Sequence, residues 1–66
     1  MKHAITFGRD KMHEFDLMLD WCATNIGRGG ALPQPTDLWF VQRHNDVITF
    51  NFRRPEYLEL FKNQWQ

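Results

Sequence analysis

Cysteine is nearly absent from this sequence: Cys22 is the only one in 66 residues. One thiol makes neither an intramolecular disulfide nor a C-x-x-C pair, which excludes a disulfide-stapled secreted mini-protein and points to a reducing cytosol. An excess of charge of either sign is also missing. Eight Lys and Arg balance eight Asp and Glu, for a formal net charge of zero. That balance argues against a polybasic coat for nucleic acid and against an acidic mimic of it. No apolar run approaches the roughly 18 residues that a membrane span needs. The opening Met1-Lys2-His3 shows no leader pattern, so a cytoplasmic protein without a membrane partner is expected. The length admits one domain, residues 1–66, and leaves no room for a catalytic cleft between two.

Aromatic residues are abundant instead, with six Phe, three Trp and one Tyr. Each can bury roughly 150–250 Å², so in so short a chain they are first of all core. Residues 3–7 alternate weakly, with Ile5 and Phe7 on one side, and stop at Gly8, which predicts a short strand. Asp10 then suits the N-cap of a helix running to about Ile26. Met12, Phe15, Met18, Leu19, Cys22 and Ile26 define its apolar face, and Gly27 stands where a left-handed C-cap belongs. Three glycines and two prolines between Gly27 and Thr36 read as a flexible crossover loop without regular structure.

Two further strands are expected at Leu38–Arg43 and Val47–Arg53, joined at His44-Asn45-Asp46. An even-length loop puts Trp39 and Val41 on one face with Ile48, Phe50 and Phe52. Leu38, Phe40, Gln42, Val47, Thr49, Asn51 and Arg53 then share the other. Pro55 fits the first turn of a closing helix whose inner stripe is Tyr57, Leu58, Phe61 and Trp65, with Glu56, Glu59 and Lys62 outside. The expected fold is α+β: a two-layer β-α-β-β-α sandwich with a three-stranded sheet, its third strand in the centre and both helices on one face. Nothing in the chain remains to cover the other face.

The run Ile48-Thr49-Phe50-Asn51-Phe52, then Arg54-Pro55-Glu56, then Leu60-Phe61-Lys62-x-x-Trp65 resembles small proteins of large tailed bacteriophages. The upstream Trp21-Cys22-x-x-Asn25-Ile26-Gly27 is similar to their W-C-x-x-N-x-G helix end. The resemblance touches about half the chain and rests mainly on core aromatics and a helix cap. It implies a setting rather than a reaction: a phage-encoded protein acting on a host component in the bacterial cytoplasm. It carries over no catalytic residue.

Candidate chemistry is sparse. Cys22, with His3, His13 or His44 as base, is weighed as a nucleophile, but a mid-helix apolar position beside Asp20 raises a thiol pKa, so a structural role is expected. His13, Asp16 and Asp20 at i, i+3 and i+7 would suit a divalent cation, yet no second ligand cluster completes a shell, and a solvated acidic face is the simpler reading. Gly27-Arg28-Gly29-Gly30 follows a helix, whereas a phosphate cradle precedes one. No cofactor, metal or enzymatic activity is expected.

Trp21 and Leu17 lie off the main helical stripe, as core edge or as an exposed anchor. The uncovered sheet face, with Leu38, Phe40, Val47, Thr49, Asn51 and Arg53, suits a protein interface or a homodimer. The favoured expectation is a small non-enzymatic module that binds a host bacterial protein through that face together with Leu17 and Trp21. The alternatives are a single-stranded nucleic-acid binder using Phe40, Arg28, Arg43, Arg53 and Arg54, and a homodimeric structural protein.

Overall fold

The structure is a computed structural model that describes residues 3–31 and 34–65. It is a mixed α+β fold with two helices and a four-stranded sheet. Strand β1 is His3–Phe7, helix α1 Phe15–Asn25, strand β2 Gly29–Gly30, strand β3 Trp39–His44, strand β4 Val47–Phe52 and helix α2 Pro55–Trp65. The sheet order is β1-β4-β3-β2; β4 is antiparallel to both neighbours, and β2 runs parallel to β3. The central position of β4 is as expected.

The hairpin sets the register. His44 belongs to β3 and pairs with Val47, leaving a two-residue turn in which Asn45 takes φ 54°, a conformation that Asn tolerates well. The even loop places Trp39, Val41, Ile48, Phe50 and Phe52 together, and all five are buried. Met18 and Cys22 from α1 and Phe61 from α2 join the same cluster, so both helices cover that face. Phe61 is its hub, with ring centroids 4.7 Å from Phe50, 5.2 Å from Phe52, 5.7 Å from Trp21 and 6.0 Å from Phe7.

Three expectations are corrected. The sheet has four strands rather than three, because the glycine-rich segment contributes β2. Gly29 pairs with Trp39, and a Cβ there would stand 2.3 Å from the indole, so only glycine lets the backbone approach. The Leu38 amide donates to the Arg28 carbonyl at 2.8 Å and fixes this crossing.

The first helix, expected as one α-helix from an Asp10 cap, begins as a 3₁₀ segment over Arg9–Glu14 and becomes α-helical at Phe15. Gly8 is the boundary residue and offers no side-chain cap. The tighter turn satisfies the early donors instead, with the Lys11 amide bonded to the Gly8 carbonyl at 3.1 Å.

The loop 27–36 is also more bonded than its composition suggests, residues 32 and 33 lying outside the described residues. Arg53 donates through Nε to the Asp37 carbonyl at 2.8 Å and through Nη2 to the Pro35 carbonyl at 2.7 Å. Buried Asp37 accepts the Gln34 amide at 3.2 Å.

The helix ends agree with expectation. Gly27 takes φ 133° and donates to the Cys22 carbonyl at 3.0 Å, and Pro55 opens α2. Among the described residues no helix is long and apolar enough to cross a membrane.

Candidate functional site: the open sheet face

Strand alternation decides what the uncovered face displays. The register aligns Thr6, Thr49 and Gln42 across β1, β4 and β3, and likewise Ala4, Asn51 and Phe40; Val47 and His44 close the hairpin end. The pattern along β4 is apolar-in and mixed-out, and among the described residues no layer covers the mixed face. None of its eight side chains is Asp, Glu, Lys or Arg, in a chain that is 24% charged.

Its groups pair laterally. The Thr6 and Thr49 hydroxyls lie 3.1 Å apart, and the Asn51 amide nitrogen donates to Gln42 Oε1 at 3.4 Å. Asn51 is only 6% exposed because Ala4 and Phe40 flank it on the two neighbouring strands. Phe40 and Thr49 are half-buried and Val47 is exposed, so apolar and hydroxyl surface lie side by side. Hydroxyls and amides both donate and accept, which lets such a face match another neutral surface without burying an unpaired charge.

The other expected contact residues are distributed differently. Leu38 turns toward Gly27, with which an added Cβ would be 3.1 Å from its Cδ1, and packs against the core instead of the open face. Arg53 reaches back to the loop carbonyls. Trp21 meets Phe61 edge-on at 5.7 Å and is core edge, while Leu17 is 60% exposed on α1, in the layer on the far side of the sheet. The fold therefore does not unite Leu17 and Trp21 with Phe40.

The cations expected to accompany Phe40 on nucleic acid are scattered as well. Arg43 pairs with Ile48 and so projects from the helix-covered side of the sheet. Arg28 Nη1 lies 3.5 Å from the Thr36 hydroxyl in the crossover loop, and Arg54 stands before α2.

Ala4 and Thr6 were not among the expected contact residues. The weak alternation in residues 3–7 held the signal: with Ile5 and Phe7 inward, residues 4 and 6 must point the other way.

Cys22 is fully buried, and loss of hydration pushes its thiol pKa up to about 12, the reverse of what a nucleophile needs. Among the described residues no three His, Cys, Asp or Glu side chains cluster as metal ligands. His13 instead lies 3.8 Å from Glu14. Two open depressions flank β2, about 450 Å³ beside Arg28 and Asp37 and about 380 Å³ between Phe15, Leu19 and Trp39. Neither lining contains a Ser, Cys or His side chain. No family model, curated protein or solved structure matches the chain.

Proposed function

We propose that this chain is a small, non-enzymatic protein-binding module that acts through its open sheet face. The single observation behind this reading is the face itself: eight side chains from three strands, no formal charge, a half-buried Phe40, and both helices committed to the opposite side. Interface centres are depleted in charge, as this face is, and Phe40 gives it one aromatic anchor. A nucleic-acid platform needs cations beside its stacking ring; the arginines lie elsewhere or are spent on loop carbonyls. By the resemblance of its helix ends and F-x-F strand, the module is phage-encoded and works in the bacterial cytoplasm, where it inhibits or redirects a host protein.

The test is capture from bacterial lysate on immobilised protein, with and without nuclease, read by mass spectrometry. One stoichiometric protein, retained after nuclease and lost with Phe40→Ser, is the expected result. Recovery that vanishes with nuclease, or that Phe40→Ser leaves unchanged, refutes the reading.

A further inference from the structure

We infer that β1 is a dimerisation edge, pairing antiparallel with β1 of a second copy through the outward backbone groups of Ala4 and Thr6. This rests on the ladder and not on the open face as a binding site. In a two-residue hairpin the closing pair, His44 and Val47, exchanges both backbone bonds. Bonded pairs then recur at every second residue, and the Arg53 amide donating to the Leu38 carbonyl at 2.9 Å confirms that phase. Val47, Thr49 and Asn51 therefore spend their backbone groups on β3, and Ile48, Phe50 and Phe52 spend theirs on β1. Their partners Phe7, Ile5 and His3 are thereby satisfied. The N–H and C=O of Ala4 and Thr6 point away from the sheet.

Among the described residues, those four groups form an edge without a guard. Folded proteins blunt edges by shortness, charge, proline, bulges or a covering segment. The opposite edge of this sheet, β2, is two residues long. β1 is five residues long, pairs with β4 in an unbroken register, and contains neither Pro nor any Asp, Glu, Lys or Arg. Arg9, the cation that follows it, is drawn to Asp46 of the hairpin turn at 2.7 Å.

A second copy is the occupant that this edge fits without further assumptions. An antiparallel strand pair is its own mate across a two-fold axis. Because only even-numbered residues face outward, the register centred on Ile5 matches Ala4 with Thr6 of the second copy and the reverse, giving four hydrogen bonds. Ile5, half-buried in one chain, then meets its twin at the close spacing of a non-bonded pair. No like charges meet, and His3 falls opposite Phe7. The two open faces become neighbours in one eight-stranded sheet. Five residues of edge bury less than the ~1,200 Å² of a standard interface, so the dimer is concentration-dependent, dissociating in the micromolar range or above.

The experiment combines sedimentation equilibrium from about 10 µM to about 1 mM with amide hydrogen exchange on the full chain. The expected mass climbs toward twice that of one chain. Protection of the Ala4 and Thr6 amides rises roughly tenfold or more with it, while Ile5 and Phe7, bonded to β4, are protected throughout. Ala4→Pro removes one outward donor and leaves the β4 ladder intact, so it weakens dimerisation about tenfold or more. Thr6→Lys, which adds edge charge, serves if the proline variant fails to fold. A single-chain mass at every concentration overturns the inference. A dimer in which Ala4 and Thr6 exchange freely, or which both variants leave intact, overturns it equally.

Discussion

Adding one methyl group at Gly29 tests the packing that turns a glycine-rich segment into a strand. A Cβ there would lie 2.3 Å from Trp39 Cε2, 2.4 Å from Cδ2 and 2.4 Å from the Trp39 carbonyl oxygen. Unstrained carbon contacts need about 3.5–4.0 Å, so ring or backbone must retreat by more than about 1 Å. The ring has little room: Trp39 is 2% exposed, and its Nε1 donates to the Gly27 carbonyl at 3.0 Å. Overpacking of this kind costs about 1–3 kcal/mol, and loss of the indole hydrogen bond adds about 1 kcal/mol. The lower chain entropy of alanine returns about 0.4–1 kcal/mol. Gly29→Ala is therefore expected to lose about 1–4 kcal/mol.

The neighbouring residue supplies the control, since no described atom lies within 4 Å of a Cβ at Gly30. Gly30→Ala is expected to be neutral or to stabilise by up to about 1 kcal/mol. Urea unfolding followed by tryptophan fluorescence measures both, at unchanged m-value. Equal midpoints for the two variants would refute the claim that contact with Trp39, rather than backbone freedom, requires glycine at 29.

Phe61→Ala removes the ring that joins α2 to both helix and sheet, and is expected to cost about 3–5 kcal/mol, enough to unfold much of the population by circular dichroism at 37 °C. Arg53→Met keeps much of the side-chain stem but frees the Asp37 and Pro35 carbonyls; the loop amides near residue 37 should exchange faster while the β4 ladder stays protected. Cys22 supplies a pH signature. Its folded pKa, about 12, lies above the ordinary value of 9.0, so the unfolded chain releases the proton first. The stability from the neutral thiol is whole below pH 9 and falls as pH rises toward 12. Relative to Cys22→Ala, the wild type should lose up to about 1.4 kcal/mol per pH unit in that window, read by urea titration.

Much of the sheet was legible because its code has period two. Trp39, Val41, Ile48, Phe50 and Phe52 fall on one face only in one register, and the polar turn around Asn45 supplies that register. Gly27 and Pro55 mark helix ends for reasons of backbone geometry that need no tertiary information. β2 was illegible for the opposite reason: nothing local makes Gly29-Gly30 a strand, and the indole of Trp39 and the Arg28–Leu38 hydrogen bond decide it from across the fold. The 3₁₀ segment was hidden because apolar spacing at Met12 and Phe15 suits a tight helix and an α-helix alike. At the candidate site, Phe40, Thr49 and Asn51 followed from alternation. Leu38 did not, since the chain turns toward Gly27 just before β3 begins, and Arg53 was claimed by carbonyls of a loop far from it in sequence.

The most direct measurement is a calorimetric titration of whichever protein the lysate capture yields with three forms of the chain: wild type, Phe40→Ser and Leu17→Ser. Phe40 lies on the open face and Leu17 on the helical layer behind it, so the pair reports which side of the sheet makes the contact. The expected result is a loss of tenfold or more in affinity for Phe40→Ser, about 1.4 kcal/mol or above, with Leu17→Ser close to wild type. Binding that survives Phe40→Ser and is lost with Leu17→Ser would move recognition to the helices and contradict the account.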